Sequence, residues 1–407
     1  MIKRDVYINK IKPFIDKDII KVLTGIRRSG KSVMLKLIME ELKNNGVDES
    51  QFININFENL KNKNLCTAET LNKFILENSQ KNKKYYIFLD EIQEVKDWEK
   101  CINSLRSDEK YKFDIYITGS NAKLLSGELA TYLVGRYVEF MIYPFSFKEF
   151  FEAIKLNENN ISLQEAFKKY VNFGGMPFLH NLNFELEPSM QYLKDMYSSI
   201  ILKDITQRNN IRDTDLLERI ITYLIMNIGN TFSATSIHKF FKSENRKTSP
   251  ETILNYIKAC EEALLIYKVQ RNDLVGKKIL NVNEKYYIAD HGIREAILES
   301  NERDINQIFE NIVFIELLRR GYSVKIGKIN DFEVDFVCMR PNKDKIYIQV
   351  TYLLASPETI EREFSVLEKI RDNYPKYVIS MDSFDMSRNG IKHLNIIDFL
   401  MNESINI

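Results

Sequence analysis

The sequence predicts an α/β chain whose first part is a parallel sheet with helices on both faces. Three observations carry that prediction. Residues 19–24 form a short apolar run that ends at Gly25 and gives way to helical spacing over 31–42. Residues 85–89 are apolar at consecutive positions, as a strand buried on both faces requires. Strand-like and helix-like segments then alternate as far as about Glu149, the pattern of parallel strands joined by crossover helices.

The elements follow in order. After the strand at 19–24, the helix at 31–42 places Val33, Leu35, Leu37 and Ile38 among its apolar residues. Further strands are expected at 52–57, 85–89, 113–117 and 137–142, which completes a core over 1–149. Strand signals then fade. Phe150-Phe151, Ala166-Phe167 and the stretch 190–205 have helical spacing, and Gly174-Gly175-Met176-Pro177 is a turn between helices, so 150–212 is expected to form a helical lid. Over 213–300 the order is helix (216–228), helix (235–241), helix, hairpin. The third helix opens at Ser249-Pro250, with Ser as N-cap and Pro at the first helical position, and runs to about 263. Strands 265–269 and 278–288 then pair around Gly276, which is the order of a winged helix. The last stretch, 301–407, reads as a small α/β domain. It has a helix at 305–320, strands at 323–326, 332–338 and 345–352, a helix at 357–371 and a strand at 377–381.

Composition bounds the function. The 407 residues are 44% hydrophobic and 28% charged, enough apolar residues for several cores. A net charge of +1 gives no global polyelectrolyte character, so nucleic-acid binding would need a local basic face. Cys66, Cys101, Cys260 and Cys338 are scattered, with no C-x-x-C pair and no His at metal spacing, as expected of reduced thiols. No apolar run approaches the ~20 residues of a membrane span, and a soluble, cytoplasmic protein without a membrane partner is expected.

The sharpest motif is Gly25-Ile26-Arg27-Arg28-Ser29-Gly30-Lys31-Ser32, a complete G-x-x-x-x-G-K-S loop between a strand and a helix. Its glycines let successive backbone N–H groups turn toward phosphate oxygens, and the helix that continues through Val33 aims its N-terminus at the same anion. Lys31 would reach the β- and γ-phosphates of ATP, and Ser32 would hold Mg²⁺. Four hydrophobes precede Asp90-Glu91, which sets Asp90 at the carboxyl edge of the sheet to bind the Mg²⁺ shell. Glu91 would be the base or positioner for the attacking water. Ser120 and Asn121, after the fourth strand, are candidates for the polar side chain between that water and the γ-phosphate. Arg136, opening the fifth strand after Val134-Gly135, is a candidate arginine finger, in its own subunit or a neighbour's. Arg27 and Arg28 would add phosphate contacts or remain solvated.

G-I-R-R-S-G-K-S, L-D-E-I-Q, T-G-S-N-A-K-L-L-S-G-E-L-A and Y-P-F-S-F-K-E-F together resemble bacterial and archaeal AAA-type P-loop ATPases. The group resembled carries a winged helix and a C-terminal restriction-endonuclease-like domain. The likeness continues through G-G-M-P-F and covers nearly the whole chain. It implies the additional-strand, catalytic-glutamate class of sheet, with the fourth strand between the first and third.

Around the winged helix stand Lys239, Lys242, Arg246, Lys247, Lys258, Arg271, Lys277 and Lys278, a distribution that fits phosphate contacts on double-stranded DNA and equally a Lys-rich protein-binding module. In the last domain, Asp335 and the tripeptide Gln349-Val350-Thr351 resemble the acid and E-x-K of nuclease folds, with Glu310 or Glu316 as the helical acid. Gln replaces the second acid and Thr the lysine, so a binding role without hydrolysis is expected, unless a lysine such as Lys345 substitutes. The functional expectation is an Mg²⁺-dependent ATPase, DNA-associated or regulatory. A non-enzymatic nucleotide-dependent signalling module and an ATP-regulated nuclease are the alternatives. A protein partner and a homo-oligomer stay open.

Overall fold

The computed structural model describes residues 2–122, 133, 135–243, 248–274, 279–298, 304–341 and 344–402. It divides into two compact units. The first comprises Met1–Pro144 with Glu262–Leu264, and the second Phe145–Glu261 with Leu265–Ile407.

In the first unit β1 (Ile20–Thr24), β2 (Phe52–Asn56), β3 (Lys84–Asp90), β4 (Lys112–Gly119) and β5 (Tyr137–Met141) form one sheet in the order β2-β3-β4-β1-β5. Every pairing is parallel, and β4 lies between β1 and β3, as expected. Among the described residues, the helices α1 (Asp5–Ile11), α2 (Lys31–Asn44), α3 (Ala68–Glu77) and α4 (Trp98–Ser107) accompany it. One sheet face packs Val22, Ile87, Leu89, Ile115 and Ile117 against Leu71, Ile75, Ile102 and Leu105 of α3 and α4. Each such side chain contributes roughly 1.5–3 kcal/mol by leaving water.

β1 also carries a charge that its apolar neighbours conceal in the sequence. Lys21 is fully buried and pairs with Asp114, itself 1% exposed. Asp114 also accepts from the Tyr116 hydroxyl (3.1 Å) and the Asp16 amide (2.9 Å). Burial pulls the Lys21 ammonium below its ordinary pKa, and Asp114 opposes that shift. The additional hydrogen bonds are what make such a buried pair tolerable.

The second unit opens with α5 (Phe147–Lys155) and α6 (Leu163–Phe173), each started by a Ser–Glu capping box. α7 (Leu186–Ser199) runs into an eight-residue π-helix, Ile200–Gln207. Then come α8 (Thr214–Met226), α9 (Ala234–Ser243), α10 (Pro250–Glu262), the hairpin β6 (Ile266–Asp273) and β7 (Ile279–Ile288), and α11 (His291–Leu298). α12 (Ile305–Arg319), β8 (Ser323–Ile329), β9 (Phe332–Met339), β10 (Lys345–Val350), α13 (Pro357–Glu368), β11 (Lys376–Ser380), β12 (Ile391–Asn395) and α14 (Ile396–Met401) complete it.

Three helices do precede the hairpin, but the hairpin is not set apart from the strands C-terminal to it. Its strand β6 pairs in parallel with β8, giving a seven-stranded sheet β12-β11-β10-β9-β8-β6-β7 that crosses position 300. An edge strand leaves a row of unpaired backbone groups, and β6 satisfies those of β8. Gly276, the expected centre of the turn, lies outside the described residues.

The Gly174-Gly175 turn is held from a distance in sequence. Asp290 accepts from the amides of Gly175 (2.7 Å) and Gly292 (3.0 Å), and the His291 ring donates to the Tyr170 carbonyl (2.7 Å). Burial pushes the Asp290 carboxyl up to about 7, against the pull of those amides. The packing leaves no room for side chains: a Cβ on Gly174 would stand 2.1 Å from Asp290 Oδ1, and one on Gly292 2.0 Å from the Phe173 carbonyl oxygen.

Candidate nucleotide site

The parallel register brings the C-terminal ends of all five strands to one edge. Asn56 stands opposite Asp90, Thr24 opposite Gly119, and Thr24 opposite Met141. The G-x-x-x-x-G-K-S loop leaves β1 at this edge and ends in α2. Gly25 has φ 152°, and a Cβ there would lie 2.2 Å from the Ile142 carbonyl oxygen, so only glycine fits. Gly30, the N-cap of α2, has φ 99°. Arg28 adopts φ 65° and is exposed, while Arg27 turns to Glu58 at 3.5 Å.

Lys31 is 3% exposed and folds back onto the loop, its Nζ donating to the carbonyls of Gly25 (3.0 Å) and Ile26 (3.2 Å). The Glu91 carboxylate lies 3.9 Å from the same nitrogen. Ser32 is exposed beside Asp90 in a cavity of about 470 Å³, which Asn56 and Glu58 also line.

The two acids are set by Thr118, which opens the T-G-S-N-A motif but is assigned no role by the sequence. Its hydroxyl donates to Asp90 Oδ1 at 2.6 Å and accepts the Glu91 amide at 2.9 Å. Asn56 donates to the other Asp90 oxygen at 2.8 Å. Asp90 is thereby fixed by two donors, and Glu91, in a left-handed conformation at φ 57°, is turned toward Lys31. The signal that could have found Thr118 is its position one residue from the end of a buried strand, on the strand next to β3. Gln93, the last residue of L-D-E-I-Q, is likewise assigned no role by the sequence; its amide donates to Glu91 Oε2 at 2.5 Å.

Ser120 and Asn121 follow β4 at this same edge, 1% and 5% exposed. Among the described residues, the buried hydroxyls of Ser120 and Ser29 have no hydrogen-bond partner. Unmet polar atoms beside a glycine cradle fit an anionic, hydrogen-bonding ligand such as a phosphate chain, and the Ser32 and Asp90 oxygens fit a hard cation such as Mg²⁺. Val33, in the first turn of α2, is 39% exposed.

Arg136 does not join them. It immediately precedes β5, its carbonyl accepts the Ile20 amide at 2.9 Å, and its side chain reaches Asn103 at 3.3 Å. Tyr137 pairs with Ile20 and Met141 with Thr24, so Arg136 lies at the opposite edge of the sheet, roughly 13 Å of strand from the loop. That corrects the expectation of a finger acting within its own subunit. Val134 and 123–130, the latter half of T-G-S-N-A-K-L-L-S-G-E-L-A, lie outside the described residues.

A second charged cluster lies in the other unit. Asp335 and Gln349 brace each other's strands: the Asp335 amide donates to Gln349 Oε1 (2.7 Å), and the Val350 amide to Asp335 Oδ2 (2.8 Å). Gln349 in turn donates to Glu363 at 2.9 Å. Glu316 faces Arg319 and Arg320, so Glu310 is the helical acid on the Asp335 side. Lys345 stands by Asp372 at 3.9 Å and does not fill the missing place. Lys285 of β7 approaches instead, 3.2 Å from Glu310 and 2.7 Å from Glu333. Burial disfavours its charge, but Glu310, Asp335 and Glu333 outweigh burial and raise its pKa. Asp335 is pushed well above the usual carboxylate range by burial and then by Glu310. Among the described residues, no group of three or more His, Cys, Asp or Glu side chains is arranged to hold a metal.

The basic residues near the hairpin divide. Lys239, Lys242 and Lys258 are exposed, while Arg271 is 3.3 Å from Glu333. Arg246, Lys247, Lys277 and Lys278 lie outside the described residues. All four cysteines are free, and among the described residues no helix is long and apolar enough to cross a membrane.

Among known protein families, residues 17–151 match an AAA domain family, and residues 164–304 match a domain family of unknown function. An uncharacterised protein of Haemophilus influenzae is 37% identical over 403 residues, covering 98% of this chain and 99% of that one. An uncharacterised protein of Methanocaldococcus jannaschii is 33% identical, covering 86% of this chain and 78% of that one. Among solved structures, a Thermotoga maritima RuvB variant matches at 16% identity with a TM-score of 0.35, covering 66% of this chain and 88% of that one. The Aeropyrum pernix Orc1 protein in complex with DNA matches at 12% identity with a TM-score of 0.33, covering 74% and 93%. The chain belongs to the protein family of these Haemophilus and Methanocaldococcus relatives, and its first unit is an AAA-type P-loop ATPase domain.

Proposed function

We propose that the chain binds ATP with Mg²⁺ and hydrolyses it, and that nucleotide state governs the modules after the ATPase domain in a DNA-associated or regulatory role. The observation that carries this reading is the meeting of Lys31, Ser32, Asp90 and Glu91 at one sheet edge, beside the unpartnered Ser29 and Ser120 hydroxyls.

In the proposed reaction Lys31 leaves the Gly25 and Ile26 carbonyls for the β- and γ-phosphates, which releases Glu91 from its cationic neighbour. Glu91 accepts a proton from water as the water oxygen bonds to the γ-phosphorus. The bond from that phosphorus to the β,γ-bridging oxygen breaks, leaving ADP and phosphate. Ser32 and Asp90 would hold Mg²⁺, which would neutralise phosphate charge there. Thr118 and Asn56 hold Asp90 in place. Ser120 and Asn121 would orient the water.

Gln93 restrains this chemistry in the resting state, because a donor on the Glu91 carboxylate competes with water for the base. Gln93→Ala therefore raises basal turnover roughly threefold to tenfold, the net worth of about one hydrogen bond. Turnover that is unchanged or lower assigns Gln93 no restraining role.

Steady-state ATP hydrolysis by wild type and Lys31→Ala, each with and without duplex DNA, tests the whole reading. Turnover that needs Lys31 and rises with DNA supports it, with Lys239, Lys242 and Lys258 as first candidates for phosphate contacts. Lys31-dependent turnover indifferent to DNA moves the role to a protein partner. Turnover indifferent to Lys31 removes the site.

A further inference from the structure

Arg4 lies well outside the phosphate-loop motif, yet it is 2% exposed and meets that loop. Its Nη1 donates to the Ser29 carbonyl at 3.0 Å. Its Nη2 donates to the Tyr143 carbonyl at 2.8 Å and reaches that of Pro144 at 3.4 Å. The guanidinium sits 4.5 Å from the centroid of the Tyr7 ring, and the Tyr7 hydroxyl accepts the Tyr143 amide at 3.2 Å. One buried cation thus ties the phosphate loop to the segment that follows β5, and Pro144 is where the first unit ends.

The chemistry of the loop gives this contact a purpose. A loop that turns its N–H groups toward an anion turns carbonyls away from it, and those carbonyls need donors of their own. Two cations supply them here: Lys31 holds Gly25 and Ile26, and Arg4 holds Ser29. Lys31 must give up its carbonyls to reach phosphate. Arg4 need not move, and its planar fork can hold carbonyls on two segments at once. Any displacement of Ser29 on filling the loop is then felt at residues 143 and 144.

We infer that Arg4 is a positioning residue of the nucleotide site, one that keeps the phosphate loop in its binding shape and carries its occupancy to residues 143–144. The inference rests on the nucleotide reading above. It assigns no chemical step to Arg4.

Two readouts on the full chain test it: equilibrium binding of a fluorescent ATP analogue, and amide hydrogen exchange across residues 142–145 with and without ATP. The variants are Arg4→Lys and Arg4→Ala, with Lys31→Ala alongside. In wild type, ATP slows exchange over 142–145. Arg4→Lys weakens affinity roughly tenfold, since a single ammonium cannot reproduce the fork, and loses the ATP-dependent change at 142–145. Arg4→Ala weakens affinity further; if it fails to fold, Arg4→Lys still decides. Wild-type affinity in Arg4→Lys, or an ATP-dependent change at 142–145 that persists in it, overturns the proposal. A Lys31→Ala protein that binds as tightly as wild type overturns the nucleotide reading, and this one with it.

Discussion

Glu91→Gln lowers steady-state ATP hydrolysis about a hundredfold or more and leaves ATP affinity within about threefold of wild type. The substitution keeps size and hydrogen-bonding capacity but removes the basic oxygen. The backbone amide of residue 91 still bonds to Thr118, so the turn that places the side chain is preserved. Asp90 keeps both of its donors. Removing a negative charge 3.9 Å from Lys31 also frees that lysine for phosphate, so binding does not suffer. The comparison to make is turnover against analogue binding on the same preparation. Equal losses in both would mean that Glu91 shapes the site rather than acting on water.

Gly292→Ala destabilises the second unit by about 3 kcal/mol, at the upper end of the overpacking range. The added Cβ would lie 2.0 Å from the Phe173 carbonyl oxygen and 2.9 Å from Asp290 Oδ1, and a backbone carbonyl cannot swing aside. Relief requires α11 to shift, which lengthens the Asp290 bonds to Gly175 and Gly292. For a unit of this size that is a melting-temperature loss of roughly 6–12 °C. Calorimetry on the full chain checks it, since the two units can melt as separate transitions. A transition within about 1 °C of wild type would show that the Asp290 turn holds nothing together.

The first unit was legible because its central strands β1, β3 and β4 are buried on both faces and its loop motif is local. All five strand positions are read from their apolar residues, and the place of β4 between β1 and β3 follows from the resemblance. What escaped depends on contacts between distant positions. Lys21 sits within an apolar run, and only the neighbouring strand shows that Asp114 faces it. Thr118 looks like a strand end until β3 and β4 are paired, and Arg4 has no motif at all. α4 could have been found, since Trp98, Cys101, Ile102 and Leu105 have helical spacing and are all buried. Arg136, as a finger within its own subunit, shows the reverse error. Its place at the start of a parallel strand already fixed it at the edge away from the loop. In the second unit, pattern alone could not tell that β6 would pair with β8, because backbone pairing at a sheet edge leaves no mark on side-chain periodicity. Lys285 meets Glu310 where α12 docks on β7, Asn311 accepting the Ile288 amide and donating to its carbonyl, a contact between positions 23 or more residues apart.

Calorimetric titration of the full chain with ATP and Mg²⁺, for wild type and Lys31→Ala, tests the nucleotide site most directly. One saturable site per wild-type chain is expected, weakened at least about a hundredfold in Lys31→Ala by loss of the charge aimed at the phosphates. No ATP binding by wild type, or equal binding by both proteins, would contradict it.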